Sequence, residues 1–338
     1  MRCIKLFSCL LLLLIQANAQ QPTIKILESG KKVSIRGLSV VNDNVIWASG
    51  SNGSVARSVD GGTTWTWQTI PGYEKMDFRD IEAFDENTAV IMGITEPGVL
   101  FKTKDGGKNW KKVFEDTSKG VFLDAIDFIN DKHGYVIGDP ISDHKAYGIV
   151  TDDGGNTWKK INNNSSYGPL HDGEAFFAAS GTNIRFRKER GMVAVTGGTR
   201  SRLFTSYTKS DPLPIIQGLK STGAFSIDVL NGKAIIVGGD FEKDTIGTDN
   251  CVLVSFQKNG VKMYKPQTPP HGHRSCVIYL DEKNLLTCGP SGIDISKDGG
   301  MNWQLIGKES FHVCQKAKKG KAVFLAGKNG RIAKLIYP

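Results

Sequence analysis

The chain has 338 residues, a formal net charge of +9 and a hydrophobic fraction of 39%. This length is enough to bury a large core, but the lysines are scattered along the chain and form no clustered basic stripe. That distribution argues against a nucleic-acid partner and indicates a solvated, moderately basic surface.

The first nineteen residues are typical of a secretory signal peptide. Two positive charges precede an apolar run over residues 6–15, and residues 17–19 read Ala-Asn-Ala, the order of a cleavage site. The run is too short to cross ~30 Å of hydrocarbon, so a membrane anchor is disfavoured. We expect residues 1–19 to be removed and residues 20–338 to form one exported domain, periplasmic or secreted, with no membrane span.

Four segments of the mature chain share the pattern [S/T]-x-D-G-G-x-[T/N]-W. Their aspartates and tryptophans are Asp60 and Trp65, Asp105 and Trp110, Asp153 and Trp158, and Asp298 and Trp303. The aspartates are separated by 45, 48 and 145 residues, and the last spacing is about three times 48. The long gap therefore predicts two degenerate copies, at residues 202–206 and 251–255, and a seventh copy lies at residues 330–334.

Each copy is accompanied by three further short strands, so the mature chain divides into seven groups of about 45 residues, the length of a propeller blade. The predicted innermost strands lie at residues 35–41, 78–84, 122–128, 174–179, 225–230, 274–280 and 311–316. A remaining strand at residues 23–27 is predicted to pair with residues 330–335 and close the ring in blade 7. The fold class is thus an all-β, seven-bladed propeller; six blades is the alternative.

The four boxes have the chemistry of a hairpin turn between the third and fourth strands of a blade. Aspartate accepts hydrogen bonds from backbone N–H groups, glycine adopts positive φ at little cost, and tryptophan buries apolar area. Aspartates on separate blades lie too far apart to act on one substrate or to share one calcium ion. The boxes therefore predict the fold and not the function.

With these boxes, and with blade phrases at residues 78–84, 173–181 and 289–296, the chain resembles the Asp-box (BNR-repeat) propellers related to the photosystem II stability and assembly factor. Some bacterial relatives are labelled oxidoreductases, but this chain has no G-x-G-x-x-G after a strand and no redox cysteine pair. The resemblance implies an assembly or binding role. We predict no cofactor, and catalysis is disfavoured but left open, with glycoside hydrolysis as the activity if there is one.

Sialidases also carry Asp boxes on propellers, so a glycoside hydrolase or a carbohydrate-binding propeller is the alternative. Their pattern includes an early Arg-Ile-Pro and a catalytic tyrosine. Residues 34–37 read Ser-Ile-Arg-Gly, without the proline, and no tyrosine can be assigned to the nucleophile. In an enzyme, Glu174 and Asp124 would be the acid and the base.

Propeller ligands usually meet the face at which the innermost strands begin. Aligning those strands places Arg36, Arg79, Leu123, Glu174, Phe225, Arg274 and His312 in one column. The candidate ligand-binding residues of this face are Arg36, Arg79, Asp124, Asp139, Glu174, Arg200, Asp240, Arg274 and His312. Loops 139–148 and 239–250 are longer than their counterparts, which favours binding there.

Three arginines at one rim could hold a carboxylate, a phosphate or an acidic peptide through forked hydrogen bonds. We therefore predict a protein or peptide partner and a monomeric propeller. The alternative is that the alternating charges only hold neighbouring blades in register.

The cysteines and histidines predict no metal site. Four cysteines remain after the signal, none with C-x-x-C spacing, and we expect buried free thiols although three disulfide pairings are open: Cys251, Cys276, Cys288 and Cys314. His271 and His273 could form a metal-binding pair but lack a third ligand.

Overall fold

A computed structural model describes residues 21–162, 166–187 and 191–337 of the chain. The predicted signal peptide lies outside these residues. Thirty β-strands dominate the described part, together with a short 3-10 turn at Lys328–Gly330. In these three stretches no helix combines the length and the apolarity that crossing a bilayer requires.

The first three blades are antiparallel sheets of four strands in chain order. Blade 1 contains β2 (Ile35–Val40), β3 (Ile46–Gly50), β4 (Ser54–Ser58) and β5 (Thr66–Thr69). Blade 2 contains β6 (Phe78–Ala83), β7 (Ala89–Gly93), β8 (Gly98–Thr103) and β9 (Lys111–Asp116). Blade 3 contains β10 (Leu123–Phe128), β11 (Gly134–Gly138), β12 (Tyr147–Thr151) and β13 (Lys159–Lys160).

The next three blades include the two that lack a complete box. Blade 4 contains β15 (Ile184–Arg187), β16 (Gly191–Val195), β18 (Arg202–Phe204) and β19 (Ser210–Pro212). The short strands β14 (Glu174–Ala175) and β17 (Gly197–Gly198) from the same stretch of chain pair with each other, and β17 extends the sheet of blade 5. Blade 5 contains β20 (Thr222–Leu230), β21 (Lys233–Asp240), β22 (Cys251–Gln257) and β23 (Gly260–Tyr264). Blade 6 contains β24 (Cys276–Tyr279), β25 (Leu285–Gly289), β26 (Gly292–Ser296) and β27 (Trp303–Gly307).

Blade 7 closes the ring with a strand from the other end of the chain. It contains β28 (Val313–Lys316), β29 (Val323–Ala326) and β30 (Ile332–Ile336), and its outer strand is β1 (Thr23–Glu28). β1 pairs antiparallel with β30, from Thr23 opposite Ile336 to Glu28 opposite Ile332. The predicted seven-bladed propeller, with its N-terminal strand in the last blade, is confirmed.

The core lies between the blades, where the inner and second strands bury their apolar side chains against the neighbouring sheet. Aromatic rings meet edge to face across these boundaries, such as Trp47 of blade 1 and Trp110 of blade 2 at 6.1 Å. The four cysteines of the propeller are buried free thiols, as expected.

The boxes form the turns that the sequence predicted. In blade 1, Asp60 accepts hydrogen bonds from the backbone N–H and the hydroxyl of Thr64, at 2.9 and 2.6 Å. These bonds lower the pKa of Asp60 to about 2. The indole N–H of Trp65 donates to Gly62 O at 3.1 Å, which closes the turn on itself. The other three boxes repeat the aspartate contacts with Asn109, Thr157 and Asn302.

Blade 4 departs from the expected pattern. Its innermost strand was predicted at residues 174–179, but the ladder stops after Ala175 and resumes at Ile184. The intervening residues 176–183, called the plug below, leave the sheet. The prediction is wrong because the apolar run at residues 176–179, which is typical of a strand, contacts the inner strands of other blades through its side chains and carbonyls.

Candidate functional site

A β-bulge in the innermost strand marks the face at which these strands begin. In blades 1, 2, 3 and 5 one extra residue interrupts the pairing with the second strand. The extra residues are Arg36, Arg79, Asp124 and Phe225. A bulge redirects a side chain out of the alternating pattern of the strand, and bulges recur beside binding sites.

The observed register differs by one residue from the expected alignment in blades 3, 4 and 6, and in blade 4 Glu174 takes the place of Ile35. Asp124, and not Leu123, is the bulged residue of blade 3. In blade 6, Cys276 pairs with Cys288, and this pair corresponds to Gly37 and Ser49 in blade 1. The residue before Cys276, Ser275, therefore occupies the position that Arg36 has in blade 1. A shift of one residue sends a side chain to the opposite face of the strand. Arg274 therefore does not join Arg36 and Arg79.

Arg36 and Arg79 lie side by side at the mouth of the central channel, and both are partly exposed. Arg36 Nη1 donates to Ala179 O at 2.9 Å, and Arg79 Nη1 contacts Ala178 O at 3.4 Å. Arg79 Nε also pairs with Asp77 at 2.8 Å. Burial and the positive charge of Arg79 lower the pKa of Arg36 to about 10. Two guanidinium groups thus share this mouth with one paired carboxylate.

Two buried histidines lie behind the arginines. His312 and His273 are each 3% exposed. Burial, followed by the charge of Arg36 for His312 and of Arg274 for His273, lowers the pKa of each imidazole to about 3. Both rings are therefore neutral at physiological pH and add no positive charge to the mouth.

The acidic candidates lie around the same mouth, but they are largely buried. Asp139 accepts the backbone N–H of Phe176 at 2.8 Å, and burial raises its pKa to about 6. Burial and the neighbouring Asp139 also raise the pKa of Asp124. Asp240 is buried and accepts the backbone N–H of Glu242 at 3.0 Å, whereas Arg200 is exposed on the loop after β17.

Glu174 and Arg274 are used inside their own blades. Glu174 pairs with Arg202 at 2.7 Å and accepts the hydroxyl of Thr196 at 2.6 Å. Arg274, which is fully buried, pairs with Asp294 through its Nε at 2.7 Å. Both hold positions that Ile35, Phe78 and Leu123 fill in other blades. Both carboxylate oxygens of Glu174 are thus engaged by side chains of its own blade.

The plug closes the channel beneath the arginines. Besides its bonds to Arg36 and Arg79, Ser180 Oγ donates to Ser275 O, and Thr182 Oγ1 bonds Ser226 Oγ, both at 2.7 Å. Gly181 has a φ of +67°, and a Cβ there would lie 2.1 Å from the Asp80 carboxyl carbon. Only glycine combines this backbone with this approach. The plug thus ties blade 4 to blades 1, 2, 5 and 6.

The opposite end of the channel is a cavity of about 490 Å³ lined with carboxylates. Three of these carboxylates accept a backbone N–H from the next blade: Asp80 from Ile126 at 2.8 Å, Asp127 from Phe186 at 2.8 Å, and Asp228 from Tyr279 at 2.7 Å. These side chains hold neighbouring inner strands in register, so the cavity is accounted for by the assembly of the ring.

The two histidines considered for a metal do not converge. His271 Nδ1 lies 2.6 Å from Asp294, whereas the ring of His273 packs edge-on against Phe225 with centroids 4.5 Å apart. Across the described stretches, no three His, Cys, Asp or Glu side chains are grouped so as to hold a metal ion.

Two residues near the plug are not found by the sequence reasoning, namely Asp77 and Phe177, and His273 is found only as a candidate metal ligand. Asp77 directly precedes a predicted strand, and a carboxylate two residues before Arg79 was a usable signal for an ion pair. Phe177 carried no such signal, since residues 174–179 fit a strand.

Comparison with known proteins supports the resemblance expected from the boxes. The family model described as photosynthesis system II assembly factor YCF48 matches residues 24–121, which span β1 and blades 1 and 2. The resemblance to this family is confirmed. No curated protein matches the chain by sequence.

Two solved structures of YCF48 share the fold over nearly their whole length. One, described as YCF48 bound to D1 peptide, has a TM-score of 0.67 and 16% identity, covering 94% of this chain and 98% of its own. The other, YCF48 from Cyanidioschyzon merolae, has a TM-score of 0.65 and 16% identity, covering 93% and 98%. At this identity the likeness to YCF48 concerns the fold.

Proposed function

We propose that the protein is a non-enzymatic, exported propeller that binds an acidic segment of a protein or peptide at the mouth formed by Arg36 and Arg79. The observation that carries this proposal is the pair itself. Two adjacent guanidinium groups lie partly exposed, and Asp77 is the one carboxylate that forms an ion pair with them among the described residues.

Each guanidinium has five N–H donors. Arg36 uses one on Ala179 O, and Arg79 uses one on Asp77 and one on Ala178 O. The remaining donors, in a partly desolvated mouth, suit the carboxylates of a partner better than water does. The solved structure described as YCF48 bound to D1 peptide supports a peptide as the class of ligand.

The plug supports binding and disfavours catalysis. It fills the channel below the arginines, which leaves a shallow charged surface in place of a deep pocket for a sugar ring. Glu174, the carboxylate that would have acted as an acid, is fixed by Arg202.

The test is an affinity capture from the native envelope with the mature protein and two variants. Arg36→Gln with Arg79→Gln removes two charges from the mouth. Lys104→Gln with Lys108→Gln removes two exposed charges from a box turn on the opposite face and is the matched control. A partner retained by wild type and control but lost by the arginine variant supports the proposal. Equal recovery by all three contradicts it.

Export is a separate part of the proposal, supported by the charge and apolar order of residues 1–19. Cell fractionation with N-terminal sequencing checks it. Recovery outside the cytoplasm with residue 20 as the first residue is expected; a cytoplasmic protein that retains residues 1–19 contradicts it.

A further inference from the structure

Three aromatic rings lie together on the same face as the arginine pair. Phe177 of the plug stacks on the bulged Phe225, with centroids 4.0 Å apart and planes 8° apart. Phe241, on the long loop after β21, packs edge-on against both rings at 6.4 and 6.1 Å. We call Phe177, Phe225 and Phe241 the aromatic shelf.

Phe241 opens the shelf to solvent, Phe177 is half-buried, and Phe225 lies buried beneath them at 4% exposure. Phe241 is 48% exposed, and Leu219 and Ile246 on the adjoining loops are 56% and 45% exposed. Phe241 N donates to Ser221 O at 3.2 Å, which keeps the two loops together. Packing within the blade does not require this exposure, and neighbouring exposed apolar side chains on one face are typical of an interaction site.

The plug connects the shelf to the arginines. Phe177 is followed directly by Ala178 and Ala179, whose carbonyls accept from Arg79 and Arg36. Consecutive Cα atoms are ~3.8 Å apart, so the shelf and the two guanidinium groups are separated by about two residue lengths. A ligand that reaches both must therefore carry an apolar group and an anionic group on neighbouring residues.

We propose that the aromatic shelf is a specificity subsite that accepts a large apolar side chain, best an aromatic one, from a peptide whose neighbouring carboxylate is held by Arg36 and Arg79. This inference rests on the proposed function. Charge complementarity selects the acidic residue, while edge-to-face packing on Phe241 and Phe177, which Phe225 supports from beneath, selects the ring. Together the two subsites fix the direction of the peptide across the mouth, which a charged surface alone does not do.

The test uses fluorescein-labelled decapeptides and fluorescence anisotropy with the mature protein. One peptide carries two consecutive glutamates next to phenylalanine, the second has serine in place of phenylalanine, and the third has glutamines in place of the glutamates. We expect the first peptide to bind wild type at least about tenfold more tightly than either of the others.

Two variants separate the subsites. With Phe241→Ser, the affinities for the phenylalanine and serine peptides should agree to within about twofold. The weaker binding of the glutamine peptide should remain. Tyr264→Ser is the matched control, because Tyr264 on β23 is equally exposed at 48% and lies away from this face. It should leave both preferences unchanged. Circular dichroism and thermal unfolding confirm that both variants fold.

The outcomes distinguish this inference from the function on which it rests. A preference for phenylalanine that survives Phe241→Ser, or equal affinity of wild type for the first two peptides, overturns the shelf while leaving acidic recognition in place. If wild type binds none of the peptides, the ligand chemistry proposed here is overturned, and the envelope capture alone decides whether the arginine mouth binds a partner.

Discussion

Blades 1 and 2 and blades 4 and 6 each carry a charged side chain near the start of the innermost strand, and they use it in opposite ways. Arg36 and Arg79 occupy bulges and meet the channel mouth. Glu174 and Arg274 lie one position earlier in the pattern and form ion pairs inside their blades. A single step of register thus separates a residue available to a partner from one that holds the blade together.

The strongest way to test this comparison is to break the buried pair of blade 6. Arg274→Met leaves Asp294 buried without its main counter-charge, and breaking a fully buried pair costs about 3–5 kcal/mol of unfolding free energy. Urea denaturation measures it. Arg79→Met, at a partly exposed pair, should cost about 1 kcal/mol or less. Equal costs would show that Arg274 is as exposed to solvent as Arg79.

The second test uses pH and the buried histidine behind the mouth. Because the pKa of His312 is lowered to about 3, its contribution to stability is present above its ordinary value near 6.5 and is lost as pH falls below it. Between pH 7 and pH 4.5, the wild type should therefore lose about 2–3 kcal/mol of unfolding free energy that His312→Gln does not lose.

Denaturation at both pH values measures the difference between variant and wild type, so the acidic groups that titrate in the opposite sense cancel. His133→Gln, at an exposed histidine, is the control. An unchanged pH dependence in His312→Gln would mean that His312 is accessible to protons in the folded protein.

The third test concerns the plug, which separates the mouth from the cavity below. Gly181→Ala places a methyl group against the Asp80 carboxylate at positive φ and should cost about 2 kcal/mol. Gly72→Ala has a similar φ of +81° but open space around it, and should cost about 1 kcal/mol or less. Thermal unfolding compares the two. Similar costs would indicate that the plug is not packed against Asp80.

The propeller fold could be predicted from the sequence, whereas the site could be predicted only in part. The D-G-G-x-[T/N]-W turns are local chemistry repeated at a fixed period, so blade number and closure by residues 23–27 could be predicted. The bulges were not visible, because a bulge depends on pairing with the second strand and has no sequence signal as specific as the boxes. For this reason alignment by sequence alone places Leu123, Glu174 and Arg274 beside Arg36, whereas strand pairing places Asp124 and Ser275 there.

The plug could not be predicted for a related reason. Residues 176–179 form a continuous apolar run, as a buried inner strand would, and their departure from the sheet is decided by the contacts of the plug with the inner strands of blades 1, 2, 5 and 6. The hydroxyl groups of Ser180 and Thr182 bond residues of other blades, Ser275 and Ser226, and this role cannot be inferred without the fold. Long-range contacts of this kind determined which candidates meet.

The most direct measurement of the central claim is arginine labelling with phenylglyoxal, followed by mass spectrometry, with and without the captured partner. We predict that Arg79 reacts much faster than Arg274 in the free protein, and that the partner protects Arg79 while Arg200, on the neighbouring loop, is less affected. Equal reactivity of Arg274 and Arg79, or no protection of Arg79 by the partner, would contradict the assignment of the mouth as the binding site.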